Sequence, residues 1–228
     1  KLRHVNFQSA TDVKLQADTE SEQQVRKYLS KHTPYPIVGE EEGGDTSLPH
    51  GNEPYWVVDP LDGTYNYLRR QSLCCVSIGL MQGEEPLLGV IYDFNEERIF
   101  SATGAGPLFE NGKIIHPDWP KQTDEACIAC GFPSSSDFSE ASLKRYISDI
   151  QKFKKVRMIG SAAMAIAWVA TGRLDLYYEN TVRLWDIAAG LALAKAAGAC
   201  YQINTLDEPA PSFAYNLRVA GRKEWLTD

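Results

Sequence analysis

With 228 residues, 43% of them hydrophobic and 23% charged, the chain has the composition of a folded globular body, which excludes a disordered segment, a collagen and a small disulfide scaffold. A formal charge of −7 repels polyanions, so no nucleic-acid partner is expected, and a small anionic substrate needs cations in between. The longest mostly apolar stretch, Ile159 to Gly172, is broken by Gly160 and Ser161 and followed by Arg173, well short of the roughly 18 apolar residues of a membrane helix.

The opening residues Lys1-Leu2-Arg3-His4-Val5-Asn6 lack the apolar run of a signal peptide. Residues Thr19 to Ser30 carry acids early and bases late behind a capping-type Thr, which predicts a helix with Asp18 just ahead of it; Pro34 and Pro36 end it. Ile37-Val38, Tyr55 to Val58, Cys74 to Leu80 and Leu87 to Phe94 are short runs rich in β-branched and aromatic residues, punctuated by Gly, Pro or Asn. They predict a mostly antiparallel sheet with helical packing.

After Trp119-Pro120 the pattern changes to a strand at Ala126 to Ala129, a helix over Phe138 to Phe153 and a strand near Val156 to Met158. Two Ala-rich helices follow, one over Ser161 to Thr171 with Ser161 as N-cap and Gly172 behind it, the other over Ile187 to Ala197 ending at Gly198. A boundary near Pro117 to Thr123 divides the chain into an N-terminal α+β lobe, 1–118, and a C-terminal α/β lobe, 119–228, within one compact unit. Five cysteines, Cys74, Cys75, Cys127, Cys130 and Cys200, form no regular framework, which fits buried thiols in a reducing compartment and a cytoplasmic location, with no membrane partner.

The chemistry concentrates in acidic turns. In Tyr55-Trp56-Val57-Val58-Asp59-Pro60-Leu61-Asp62-Gly63-Thr64 a buried strand runs into a turn where Pro60 stops ladder pairing and Asp59 and Asp62 are thrown out at the strand's end. Gly63 lets backbone approach a ligand, and Thr64 offers a hydroxyl beside exposed N–H groups. Two carboxylates so close repel unless a cation sits between them, and an all-oxygen site suits Mg²⁺ better than zinc. An Asx-type turn is the plainer reading of a bare D-P-x-D. Gly39-Glu40-Glu41-Glu42-Gly43-Gly44 is by itself a solvated loop, and Asp186 in Leu184-Trp185-Asp186-Ile187-Ala188-Ala189-Gly190 is by itself an N-cap.

The order of these segments decides between the readings. Gly39-Glu40-Glu41, then Asp59-Pro60-Leu61-Asp62-Gly63-Thr64, then Gly160-Ser161-Ala162-Ala163, then Trp185-Asp186-Ile187-Ala188-Ala189-Gly190 resembles the signature of the inositol monophosphatase family within the Mg²⁺-dependent, lithium-sensitive phosphatases. The resemblance implies a layered αβαβα sandwich like that of fructose-1,6-bisphosphatase, where composition alone gives only mixed α and β, and it implies a homodimer. It also implies that Glu40, Asp59 and the Leu61 carbonyl hold one Mg²⁺ and that Asp59, Asp62 and Asp186 hold a second. A third, weaker ion would use Glu40, with Glu41 nearby.

By the same resemblance Asp18 and Thr64 orient and deprotonate the attacking water, with Glu40 as the competing base, and the N–H groups of Gly63 and Thr64 receive phosphate oxygens. The substrate's alcohol part would meet Asp62, Asp186, the backbone at Gly160, Ser161 and Ala162, and Glu179, whose carboxylate can accept hydrogen bonds from ring hydroxyls. The small phosphorylated substrate expected first is myo-inositol 1-phosphate. Fructose 1,6-bisphosphate, 3′-phosphoadenosine 5′-phosphate and histidinol phosphate are the alternatives, and a non-catalytic metal-binding relative is the rival of another class. A nucleophilic hydrolase fits worse, since Gly131-Phe132-Pro133-Ser134 lacks the second glycine of a nucleophile elbow.

Overall fold

The computed structural model describes residues 5–8, 13–132, 137–206 and 213–226; Lys1 to His4 of the opening run and Pro133-Ser134 lie outside them. Strands β1 (Val5–Gln8) and β2 (Val13–Leu15) pair antiparallel and lead into helix α1 (Gln16–His32). The next elements are β3 (Ile37–Gly39), β4 (Pro54–Asp62), α2 (Thr64–Leu68), β5 (Cys75–Gln82), β6 (Glu85–Asp93), β7 (Arg98–Thr103), β8 (Phe109–Glu110) and β9 (Lys113–Ile114). The second half holds β10 (Cys127–Cys130), α3 (Glu140–Ile150), β11 (Lys155–Arg157), α4 (Ala162–Ala170), β12 (Leu176–Arg183), α5 (Leu184–Ala197), β13 (Cys200–Thr205) and β14 (Ala214–Ala220).

Strands β3 to β9 form a seven-stranded sheet in chain order, antiparallel except for the parallel β3–β4 pair. The other sheet is mixed and five-stranded, in the order β11-β10-β12-β14-β13. Between the sheets lie α4 and α5, buried almost all round, as helices without a polar face must be. Their small residues set the spacing: a Cβ added to Gly89 of β6 would stand 2.2 Å from the Ala189 carbonyl oxygen, so this strand and α5 touch backbone to backbone.

The outer faces are covered by α1 and α3. Val25 and Leu29 of α1 pack on Trp56 and Val58, while Tyr55 and Val57 face the inner helices. A strand covered on both sides has no reason to alternate, which is why β4 reads as a continuous apolar run. On the other side Tyr146 and Ile150 of α3 pack on Ile128, Cys130 and Tyr178. The result is the αβαβα layering that the resemblance implies.

Three expectations are corrected. Helix α1 begins at Gln16, so Asp18 is its third residue and not a residue ahead of it; its Oδ2 accepts the Leu15 N–H at 2.7 Å. Helix α5 begins at Leu184, so Asp186 is not its N-cap but its third residue, accepting the Arg183 N–H at 2.8 Å. And Pro60 does not end the ladder: β4 pairs on with β5 through a bulge, Asp59 opposite Ser77 and Asp62 opposite Cys75. Pro60 has no N–H to donate, and the bulge needs none from it. Ser161 is the N-cap of α4 as expected, accepting the Met164 N–H.

Candidate active site

The bulge in β4 sets the site. Three steps along β4, from Asp59 to Asp62, face two along β5, and the extra residue turns both carboxylates toward the starts of the inner helices, as bulges beside functional sites do. Asp59 is buried, and its Oδ1 accepts the Leu61 N–H at 2.9 Å. Asp62 Oδ2 accepts the Ser161 hydroxyl at 2.5 Å and the Ala163 N–H at 2.7 Å, so it sits where the dipole of α4 favours negative charge. Asp186 arrives from the first turn of α5, and Ser77 Oγ donates to the adjacent Trp185 carbonyl at 3.3 Å, tying β5 to that turn.

Asp59, Asp62 and Asp186 each offer a carboxylate oxygen, and the three atoms lie within 4.8 Å of one another. Burial, then the charges of Glu40, Asp62 and Asp186, push the Asp59 carboxyl well above the usual range. Asp186 is pushed up in the same direction, first by burial and then by Asp62 and Glu40. Asp62 is raised by burial, with the Ser161 hydroxyl and the N–H groups at the start of α4 pulling the other way. The Cys75 thiol, 3.9 Å from Asp62 Oδ2, is kept protonated by burial and by its acidic neighbours. The available donors are therefore oxygens, gathered against their own repulsion, a set suited to a hard dication.

Of the other predicted residues, Glu40 and Glu179 lie close enough for their charges and those of the aspartates to act on one another. Glu40 donates its N–H to the Val58 carbonyl at 3.2 Å, and its charge is felt by Asp59 and Asp186. Glu41, half-buried, gives its N–H to Glu22. The Leu61 carbonyl accepts the Thr64 hydroxyl at 3.0 Å, and Gly63, at φ +85°, is the N-cap of α2. A side chain at Gly63 would meet the Leu73 carbonyl at 2.7 Å, so position and conformation both require glycine. Asp18 is buried in the first turn of α1, and Ser21 in the next turn donates to the Pro60 carbonyl at 3.1 Å.

Gly160, at φ +72°, and Ser161 and Ala162 form the entry to α4. Glu179 lies on β12 where the pairing with β14 shifts register, and it accepts the Tyr177 hydroxyl at 2.5 Å. Burial, partly offset by that bond, pushes its carboxyl up to about 7. Gly131 lies directly against it, since a Cβ there would be 1.6 Å from Glu179 Oε2.

Sequence reading missed several positions. Asn66 donates to the carbonyls of Leu73, Ile159 and Gly160, fastening α2 to the entry of α4. Glu22, fully buried, accepts the N–H groups of Glu41 and Glu42. Asp18, Glu22 and Arg26 recur every four residues on one helix face beside Val25 and Leu29, a signal that the acids lie at the edge of the apolar face, not opposite it.

Layering and acidic cluster together define a hydrolase of the metal-dependent phosphatase class. The chain belongs to the inositol monophosphatase family, whose family model matches residues 2–219. It is 37% identical over 198 residues to Nus factor SuhB of Xylella fastidiosa, covering 86% of this chain and 70% of that one. It is 32% identical over 226 residues to fructose-1,6-bisphosphatase/inositol-1-monophosphatase of Aquifex aeolicus, covering 98% and 82%. To inositol monophosphatase 2 of Solanum lycopersicum it is 34% identical, covering 100% and 87%. Its fold is similar to that of inositol monophosphatase from Anabaena, with TM-score 0.80, 28% identity and coverage of 92% and 82%. It is also similar to that of SaIMPase-II solved with inositol monophosphate bound, with TM-score 0.76, 25% identity and coverage of 92% and 83%. The chain is thus a phosphatase, a phosphoric monoester hydrolase whose substrate is a small phosphorylated molecule. Among the described residues no helix is long and apolar enough to cross a membrane.

Proposed function

We propose that the chain hydrolyses a phosphate monoester with Mg²⁺, with myo-inositol 1-phosphate as the first-choice substrate. The observation that carries the reading is the group formed by Asp59, Asp62 and Asp186, three carboxylates within 4.8 Å, all pushed up by burial and, at Asp59 and Asp186, by their acidic neighbours as well. Such a group is costly to ionise alone and becomes an anion-attracting site once dications neutralise it. Glu40, Asp59 and the Leu61 carbonyl would hold one ion, and Asp59, Asp62 and Asp186 a second; Glu40, with Glu41 nearby, would serve a third. The ions supply acidification of water and neutralisation of the leaving oxygen.

The remaining work falls to the chain. Asp18 and Thr64 orient the water and take its proton, Glu40 being the competing base. The first N–H groups of a helix lack intrahelical partners, and those of Gly63 and Thr64 meet the phosphate oxygens. Glu179 accepts from a ring hydroxyl of the alcohol, and Asp62, Asp186 and the backbone of Gly160, Ser161 and Ala162 line its remaining edge. The same reading carries a homodimer in the cytoplasm and a lobe boundary at 118/119, supported by the division of the large-sheet strands, all before residue 115, from those of the mixed sheet, all after residue 126.

The test is phosphate release from inositol 1-phosphate, fructose 1,6-bisphosphate, 3′-phosphoadenosine 5′-phosphate and histidinol phosphate, each with Mg²⁺ and with EDTA. Mg²⁺-dependent preference for the inositol ester supports the reading. Preference for another ester keeps the chemistry and changes the substrate, and release that ignores EDTA rejects the metal mechanism.

A further inference from the structure

The acidic loop from Glu40 to Glu42 has little regular structure of its own. Its backbone is closed by the Gly39 N–H on the Gly43 carbonyl at 3.0 Å and leans on β4 through the Glu40 N–H on the Val58 carbonyl at 3.2 Å. Between those points two side chains of α1, Glu22 and Arg26, hold the loop from below. Glu22 of α1 is wholly buried; its Oε2 accepts the Glu41 N–H at 2.8 Å and its Oε1 the Glu42 N–H at 3.1 Å. Arg26, one turn on, donates Nε to Glu22 Oε1 at 2.7 Å, Nη2 to the Gly43 carbonyl at 2.8 Å and Nη1 to the Ile37 carbonyl at 3.3 Å, and its Nε lies 3.3 Å from Glu42 Oε2.

We propose that Glu22 is a positioning residue for metal binding: its carboxylate, braced by Arg26, fixes the backbone of Glu41 and Glu42 so that Glu40 faces Asp59 and Asp186. This rests on the reading that Glu40 takes a metal. A buried acid beneath an acidic loop looks like a design against charge, yet the Glu41, Glu42 and Arg26 donors that meet the carboxylate are all N–H groups, and only an acceptor-only group satisfies them together. A glutamine there turns an NH₂ toward an N–H and leaves a buried donor unmet. Gly39 makes the contact possible: a Cβ at that position would stand 2.3 Å from Glu22 Oε1 and 2.8 Å from Oε2. The glycine ahead of the acids therefore clears room for the supporting carboxylate.

Two variants and two readouts test this. Glu22→Gln removes the charge at constant volume, and Gly39→Ala displaces the carboxylate without removing it, so the second remains informative if the first folds poorly. The first readout is amide hydrogen exchange of the metal-free protein. Both variants are expected to exchange the Glu41 and Glu42 amides at least about fivefold faster, with β5 and β6 unchanged. The second is Mg²⁺ titration by calorimetry, in which affinity is expected to fall about 10- to 100-fold; at saturating Mg²⁺ the KM for the ester stays within about twofold. A merely structural Glu22 would instead raise exchange throughout the protein and leave Mg²⁺ affinity at the wild-type value, which overturns the proposal. Wild-type protein that takes up no Mg²⁺ overturns both this and the metal reading, whereas wild type that binds with unchanged variants overturns this one alone.

Discussion

The two halves of the acidic site are held in different ways. Asp59, Asp62 and Asp186 stand on a bulged strand and a helix start, and Asp62 is further bonded to the Ser161 hydroxyl and the Ala163 N–H at the entry of α4. Glu40 and Glu41 stand on a loop whose backbone is held by Glu22, Arg26, the Gly39–Gly43 closure and the Glu40 N–H on β4. Regular elements over-determine the first half, since each carboxylate is fixed by packing that the fold needs anyway. The loop is held by two side chains of α1 and a few backbone bonds, so metal affinity there is separable from folding. Side chains on helices and strands are placed more closely than those on loops, and supporting shells decide how well a loop-borne ligand performs.

The largest effect is expected where the rigid half is altered chemically with its placement kept. Asp62→Asn retains an amide oxygen for Ser161 and Ala163 but loses the charge, and turnover should fall by about 10³-fold, the equivalent of several kcal/mol of charge stabilisation. Circular dichroism should be unchanged; near-wild-type turnover would remove Asp62 from the chemistry. Thr64→Ala comes next, with turnover down about 10²-fold, as for a lost proton-transfer partner, and Mg²⁺ affinity by calorimetry near wild type. Loss of metal binding in that variant would make Thr64 a support for the Leu61 carbonyl it touches, not a participant.

Ser161→Ala removes both the cap of α4 and a donor to Asp62. It should cost about 1 kcal/mol in a denaturant melt and weaken Mg²⁺ about tenfold. A change in stability with metal affinity intact would show that the Ala163 N–H alone holds Asp62. The smallest effect is on pH. Glu179, raised to about 7 by burial, accepts hydroxyl hydrogen bonds best when ionised, so KM should fall a few-fold as pH rises through that value. Asp62 is one of the groups that raise it, so Mg²⁺ on Asp62 should move the inflection lower. Tyr177→Phe removes the bond favouring the ionised form and should move it higher, as the pH profile of KM reads directly.

Much of the rigid half is legible in the sequence. Pro60 and Gly63 mark the irregular end of β4, Ser161 announces the cap of α4, and the apolar run before Asp59 belongs to a strand buried on both faces. What misleads is the assumption that Pro60 breaks the ladder, because a bulge absorbs a residue with no N–H without ending the strand. The two helix starts are misplaced for a related reason. Asp18 and Asp186 are good caps, but each reaches back from the third helical position to the N–H ahead of the helix, and the residue type alone does not separate those positions. The strands from Arg98 onward in the first sheet and the order of the mixed sheet depend on non-local pairing and carry little local signal. Glu22 is legible only in part: its spacing to Arg26 gives a surface ion pair, and its burial appears only once Gly39 is seen to lie over it. Its partners are backbone groups some 20 residues away, which side-chain patterns do not encode.

The central claim is that the aspartates at 59, 62 and 186 form a dication site, and the most direct measurement is calorimetric titration of metal-stripped protein with Mg²⁺ at neutral pH, alongside an Asp59→Asn/Asp186→Asn double variant. The account predicts saturable binding in the wild type and no such binding in the double variant. Equal binding by the two proteins, or none by the wild type, would contradict it.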